Sequence, residues 1–547
     1  MATPGDIQEA AAGARSPDVR GEGRPEGVAA ATPDESLDDL RIMLTAAEAY
    51  PYLEDLFLNA RHRVVAGFRI FDPETRLISD AARAVGDTWA DLVAHILRRG
   101  VPVTLVLSDF DPIGAPELHA TTHRSLRLFA EAARRAGARD LLDARAHLHP
   151  AGAGPIWRLL AAPLARQQLA TTARRLSAQG PALARERLAD MPGLAAMLMP
   201  QADGTWRPRR GIVPRLSPCT HHQKLAVADA RHLYIGGLDL DERRRDGLRH
   251  ARAAQRTWHD VALGLSGAVA AEAEAHLDAF RDEVEGHRAP APRPGLLRTL
   301  SAQRRGAGRL RFGPRPLVTE IAARTVSEIA QARNLVYLET QFLRDTRFAR
   351  ALAARGRTVP GLRLVVVLPA APDEVAFEDD RSLGQRFGEH LQAKCVGLLE
   401  RAFGDRVAFV SPAQPRARVP DGTRRVLHGA PIVYVHAKVS VIDDAAAIVS
   451  SANLNGRSHR WDTEAGVAIE APAQVRLLRQ RLMTHWLPEG AGPACFAAET
   501  APDRWRRLAE ANSRRPPHER TGFLLPYPHL TPRRFGRPVP FLPQEMV

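Results

Sequence analysis

Short apolar runs bounded by turn residues recur along the chain, and their order repeats. Val64 to Ile70 and Pro102 to Ser108 read as buried strands separated by a helical stretch, and Leu335 to Glu339 and Arg363 to Pro369 take the same places later. The run Leu364-Val-Val-Val-Leu368 stops at Pro369, as a strand covered on both faces does. Each set then reaches an alternating segment, a short strand (Leu233 to Ile235; Ala447 to Val449), a turn of small residues and a further strand (Val261 to Leu265; Ala465 to Ile469). The turns are Gly236-Gly-Leu-Asp239 and Ser450-Ser-Ala-Asn453. One α/β unit occurs twice, so each copy is expected to pack helices on a mixed or parallel sheet.

The copies meet at His287-Arg-Ala-Pro-Ala-Pro-Arg-Pro294, whose prolines mark a linker. This divides the chain into a leader (1–36), a first lobe (37–286), a linker (287–299), a second lobe (300–490) and an Arg- and Pro-rich tail (491–547) expected to wrap the core. From Phe68 to His222 the first copy runs 154 residues, whereas Tyr337 to His436 is 99. The excess of about 55 predicts an insertion of Ala/Leu/Arg helices at about 150–214. It holds Met191, Met197 and Met199. The favoured reading is a helical hairpin with its own packing; the functional one is an apolar flap suited to acyl chains.

A chain of 547 residues, 45% apolar and 25% charged, has ample material for two cores. A net charge of +14 favours polyanions, whether nucleic acid, acidic headgroups or phosphorylated molecules. Cys219, Cys395 and Cys495 are scattered and without a CxxC pair, which argues against a disulfide framework or a cysteine zinc site. No apolar run reaches membrane-span length, and the leader has neither a basic start nor an apolar stretch. The expectation is a monomer, cytoplasmic or peripheral at a membrane, the alternative being export by a route that needs no N-terminal signal.

The positive charge is arginine almost throughout, with three lysines against 73 arginines. Two of the three lysines occur in one frame: His222-Gln-Lys224 with Asp229 five residues on, and His436-Ala-Lys438 with Asp443 five on. Given 20 histidines, chance alone would place two of three lysines two after a His about 0.4% of the time. On a strand, positions i and i+2 face one side, so each motif presents imidazole and ammonium to one space. Bringing the copies together gives a phosphate-sized site of two imidazoles and two ammonium groups.

These segments resemble the phospholipase D superfamily, whose signature is His-x-Lys-x4-Asp followed by a Gly/Ser pair. The first motif (222–239) leads to Gly236-Gly237 and the second (436–455) to Ser450-Ser451-Ala-Asn453. Trp258-His-Asp-Val261, Tyr337-Leu-Glu-Thr-Gln341 and Ser451-Ala-Asn-Leu-Asn-Gly-Arg-Ser458 extend the resemblance from about Val64 to Ile469. It implies a duplicated α/β/α sandwich of two pseudo-symmetric lobes with one shared active site. By the resemblance, His222, Lys224, Asp229, His436, Lys438 and Asp443 are the catalytic set, with His222 the nucleophile and His436 the general acid/base. Glu464 would orient His222 and Asp260 would orient His436 across the lobes. Asn453, Ser451 and Asp239 would meet phosphate, Asp239 standing where the second copy has Asn453. Asp229 and Asp443 are expected to anchor the motif loops from one layer out. The chemistry needs no metal and no cofactor, and no cluster has metal-ligand spacing in sequence.

His221 and His428 read as neighbours shaping their loops. Tyr337, Glu339 and Gln341 read as the end of a buried strand with substrate contact the lesser reading, and Arg243-Arg-Arg245 as a solvated charged loop. The expected activity is hydrolysis of glycerophospholipids at a membrane surface to phosphatidic acid and headgroup alcohol through a phosphohistidine, with transfer to other alcohols as a second outcome. The alternatives are a cardiolipin synthase-like phosphatidyltransferase, a nuclease of the same superfamily and a non-catalytic phospholipid-binding module. A nuclease would suit the net charge but lacks an aromatic and basic stacking groove, so nucleic acid is the less favoured partner.

Overall fold

The computed structural model describes residues 40–211, 215–419 and 421–547, so the leader (1–36) lies outside the described residues. The first half forms a seven-stranded sheet from β1 (Arg41–Leu44), β2 (Val64–Phe68), β3 (Val103–Ser108), β4 (Leu142–His147), β5 (Leu225–Ala228), β6 (His232–Gly236) and β7 (Val261–Ser266). Their spatial order is β1-β7-β6-β5-β2-β3-β4. The second half contributes β8 (Leu297–Ala302), β9 (Arg315–Thr319), β10 (Leu335–Thr340), β11 (Arg363–Val367), β12 (Val407–Pro412), β13 (Lys438–Ile442), β14 (Ala446–Ser450), β15 (Glu464–Ile469) and β16 (Leu524–Pro526). These lie in the order β9-β8-β15-β14-β13-β10-β11-β12-β16. With β9 and β16 set aside, the two orders are the same. In both, three strands run parallel and the motif strand joins them antiparallel. The fold is a duplicated α/β arrangement, as the repeat in the sequence predicts.

Alternation along the strands explains how the sheets pack. Val65, Leu225, Val227, Val365, Val367, Val439 and Val441 share one continuous apolar cluster with the helices Ala268–Glu285 and Pro472–Trp486. Their neighbours Val64 and Ala66 turn to an outer cluster on the first lobe, and Leu364 and Val366 to one on the second. Fully burying such a side chain is worth about 1.5–3 kcal/mol, so this shared cluster ties the lobes into one body.

Two segments differ from the sequence reading, the linker and the tail. The linker is shorter, because β8 begins at Leu297 and its Thr299 pairs with Glu464. The tail is not merely a wrap: helix Ala501–Arg514 buries Trp505 and β16 extends the second sheet. The insertion forms the helices Pro155–Ser177, Pro181–Ala189 and Pro192–Ala195 and a ribbon, Leu198–Pro200 with Trp206–Pro208. Leu169, Leu176, Leu188, Met191 and Leu194 give it a core of its own. The start of its long helix behaves differently, leaving Ile156, Leu159, Leu160 and Leu164 exposed.

Candidate functional site

The regular motif strands begin later than the alternating pattern predicts, at Leu225 and at Lys438, three residues past His222 and two past His436. The histidines sit in extended segments leading into them, and these segments are exchanged between lobes. The His222 amide donates to the Thr463 carbonyl (2.8 Å), and the His436 amide donates to the His259 carbonyl (2.7 Å). Isolated bridges join His221 to Thr463 and His259 to Val435 in the same sense. The next residue on each partner segment is a carboxylate, so each motif meets the acid of the other lobe. Glu464 Oε2 lies 3.1 Å from His222 Nδ1, and Asp260 Oδ2 lies 2.6 Å from His436 Nδ1. With Nδ1 committed to the carboxylate, each Nε2 is left to act.

The lysines close on the same space. Lys224 Nζ donates to the His222 carbonyl (2.6 Å) and lies 3.5 Å from Asp239. Lys438 Nζ lies 2.8 Å from His436 Nδ1 and 3.4 Å from Gln341 Oε1. Burial pushes both imidazoles well below their ordinary values, and the cations push the same way: Lys224, Arg69, Lys438 and Arg457 on His222, and Lys438, Arg244 and Lys224 on His436. Each ring thus feels the lysines of both lobes, which marks one chamber. Both rings rest neutral, the state a nitrogen nucleophile requires. Burial also takes Lys438 down to about 7.

Other expected site residues lie elsewhere or do something different. Asp229 accepts from the amides of Arg61, His62 and Arg63, and Asp443 from those of Arg333, Asn334 and Leu335, at 2.7–2.9 Å. They sit past the far ends of β5 and β13, so they clamp loops and do not reach the chemistry. Both occupy a left-handed turn, which Asp tolerates. Ser451 donates its hydroxyl to Glu464 and accepts from the Ala465 amide, so it supports the carboxylate and not phosphate. Asp239 is buried between Lys224, Arg69 and Arg244 and accepts from the Ile70 amide; it is their counter-charge, and no anion would meet it. Asn453 is buried, and its Oδ1 is unpartnered among the described residues.

Arg244 was expected in a solvated loop, yet it is 5% exposed, with its guanidinium over Trp258 at 4.7 Å. Trp258 in turn packs on the His436 ring at 4.6 Å. The sequence reading also missed Arg69, which occupies the place that Gln341 holds in the second copy. Counting from the motif pairing, Val64 opposite Ala228 and Val336 opposite Ile442, would have aligned the two. Of Tyr337, Glu339 and Gln341, only Gln341 reaches the site; the other two bond to each other in the core. His221 is held by Thr463 and His147, and His428 shapes a remote ribbon turn.

Fold and site together define a duplicated α/β sandwich whose halves enclose one chamber of two imidazoles and two ammonium groups. A family model described as "Cardiolipin synthase, PLD-like domain" matches residues 326–486. Phospholipase D zeta 2 of Arabidopsis thaliana is 29% identical over 168 residues, covering 26% of this chain and only 16% of the plant protein's length. Residues 326–486, in the second lobe, are therefore similar to phospholipase D-like domains. Among solved structures, phosphatidylserine synthase from Haemophilus influenzae aligns over 82% of this chain and 86% of its own at 12% identity, TM-score 0.48. Polyphosphate kinase from Porphyromonas gingivalis aligns over 82% and 47% at 10% identity, TM-score 0.40. Likeness that distant says nothing of substrate.

Proposed function

We propose that the protein is a phospholipase D-type phosphodiesterase acting on glycerophospholipids. The observation that carries this reading is the pair of neutral, buried imidazoles, each held at Nδ1 by the other lobe's carboxylate, with both lysines beside them. His222 Nε2 attacks phosphorus and the headgroup oxygen leaves with a proton from His436, giving a phosphohistidine. His436 takes that proton from solvent as substrate enters, because the phosphate's charge offsets the burial and the neighbouring cations, Lys438, Arg244 and Lys224, that keep the ring neutral at rest. It then takes a proton from water, which attacks phosphorus and releases His222. The lysines hold the non-bridging oxygens throughout. His222 is assigned the nucleophile by the resemblance, and its side chain is the more exposed of the two, 13% against 5%.

A lipid substrate is supported by the names of the matched family and relative, and by the insertion. Ile156, Leu159, Leu160 and Leu164 follow helical spacing on one exposed face, with exposed Leu310 beside it through the bond from Trp157 to the Leu310 carbonyl. Exposed Arg166, Arg311 and Arg315 accompany them, the composition of a face that lies on an anionic bilayer. Among the described residues no helix is long and apolar enough to cross a membrane. The matched family's description favours a second reading, transfer to an alcohol acceptor, on the same covalent intermediate.

Incubation with phosphatidylcholine vesicles and, separately, plasmid DNA, with products identified by mass spectrometry, tests the substrate. Phosphatidic acid is expected, and cleavage of DNA alone would reject the lipid reading. Adding glycerol or ethanol separates hydrolysis from transfer by the ratio of phosphatidic acid to phosphatidyl-alcohol.

A further inference from the structure

We propose a second site: His250, His259 and His485 form a buried binding site for a divalent transition-metal cation of the zinc class, pinning the two lobes together behind the phosphodiester chamber. His250 and His259 precede β7 of the first lobe, and His485 lies in the last turn of helix Pro472–Trp486 of the second. One ring nitrogen from each lies within 4.8 Å of the other two.

The protons are assigned by what holds the far side of each ring. His250 Nδ1 donates to Asp246 Oδ2 (2.7 Å), and that carboxylate is fixed by the amides of Trp258 and Gly247. His259 Nε2 donates to Glu339 Oε2 (2.8 Å), and Glu339 is fixed by the Tyr337 hydroxyl and the Trp486 indole. Carboxylates on the outer nitrogens are the usual support of metal-binding histidines. They leave lone pairs on His250 Nε2 and His259 Nδ1. His259 is fully buried, and among the described residues its Nδ1 has no hydrogen-bond partner, so its lone pair is desolvated with nothing there to accept from. A cation would satisfy it, and the two carboxylates would balance the charge.

His485 completes the set. Its Nε2 faces His250 Nε2 at 2.9 Å, a hydrogen-bond distance with the proton on His485. Two ligands on a tetrahedral centre with bonds of about 2.0–2.1 Å lie about 3.3–3.4 Å apart. Loading therefore needs the His485 proton to pass from Nε2 to Nδ1 and the ring to open by about half an ångström while His259 closes in. His485 is the partly exposed member of the three, so a cation would enter on its side. The other partly buried cluster, Asp109 with His119 and His123, lacks such lone pairs. His119 Nε2 accepts from the Gly193 amide, so its proton is on Nδ1 and goes to Asp109.

The test uses full-length protein without a histidine tag, stripped with a chelator and titrated with Zn2+ or Co2+. One equivalent of zinc by elemental analysis is expected, with tetrahedral ligand-field bands for Co2+ and a melting temperature that rises on loading. His485→Ala and His250→Ala should each lower bound metal at least tenfold and abolish the melting shift, whereas His222→Asn should keep it. The proposal is overturned if folded wild-type protein binds no tight equivalent, if both cluster variants bind as the wild type does, or if His222→Asn removes the metal. Should a variant fail to fold by circular dichroism, the wild-type titration and Co2+ spectrum decide alone.

Discussion

The two motif sites share a backbone plan and differ in how they handle charge. Lys224 has the buried carboxylate of Asp239 at 3.5 Å, with Arg69 and Arg244 gathered on the same acid. Lys438 has instead the neutral Gln341 at 3.4 Å, and its turn carries Asn453 where the first carries Asp239. Burial acts on both lysines, and the foremost opposing influence is Asp239, in its own turn, for Lys224 but Asp260, from the other lobe, for Lys438. The first lobe therefore holds an ion cluster within its own turn, whereas the ammonium of the second has no carboxylate in its turn and shares Asp260 of the other lobe with His436. The two frames share a backbone and differ at two matching places, Asp239 against Asn453 and Arg69 against Gln341.

The largest expected effect tests whether the histidines are unequal too. His222→Asn and His436→Asn should each lower turnover of phosphatidylcholine on the order of 10⁴-fold, the upper range for losing a proton-transfer group or a nucleophile. They diverge on an activated diester such as a nitrophenyl ester, whose leaving group needs no acid. His436→Asn should release one equivalent of nitrophenol in a burst and then stall as the phosphohistidine, and His222→Asn should show no burst. A burst in His222→Asn alone would exchange the two roles.

Asp239→Asn converts the first turn to the chemistry of the second. It leaves Lys224, Arg69 and Arg244 buried around a neutral amide. Removing one partner of a buried ionic cluster costs about 3–5 kcal/mol. Denaturant unfolding should show that loss, and a change under about 1 kcal/mol would mean that the cluster is solvated and the asymmetry unimportant.

A smaller effect is expected at the clamps. Asp229→Ala or Asp443→Ala strips three amides of their acceptor, and charge-assisted bonds at partly exposed positions put the cost at about 2–3 kcal/mol in all. Turnover at a permissive temperature should stay within about twofold of wild type, which separates clamping from catalysis. For Asp229 burial raises the carboxyl, but the amides of Arg63, Arg61 and His62 outweigh it and hold it below its ordinary value. Its contribution to stability is then present above the unfolded carboxyl's pKa and lost as pH falls through the lower native one. Acid unfolding monitored by circular dichroism should show the variant less sensitive across that window.

How much of this could be read beforehand depended on the distance over which each signal acts. The repeat, the strands and the four residues His222, Lys224, His436 and Lys438 are written in local pattern, period-two alternation and one spacing used twice. The cross-lobe pairs are not local: Glu464 reaches His222 across 242 positions, and only the family resemblance named it. Arg244 had the local look of a solvated Arg-Arg-Arg loop, but Trp258 and Asp239 bury it. Ser451 stands in the motif where phosphate was expected, and its hydroxyl was taken by Glu464 instead. His250, His259 and His485 show no ligand spacing because the fold, not the chain, brings them together.

The smallest effect concerns the missing counter-ion itself. Because the Lys438 ammonium has a pKa of about 7, it loses charge as pH rises through neutrality. Sulfate keeps a constant double negative charge there, so its affinity reports the protein's protons alone. Binding should weaken several-fold between pH 6 and pH 8, followed by calorimetry or by the melting shift. Asn453→Asp should then give Lys438 the partner that Lys224 has. The ammonium would stay charged through pH 8, and the added carboxylate would oppose the anion at every pH. The variant should therefore bind sulfate more weakly at pH 6 and with little change up to pH 8. A slope as steep as the wild type's would place the titrating proton on another group, and the difference between the lobes would not reside in that turn.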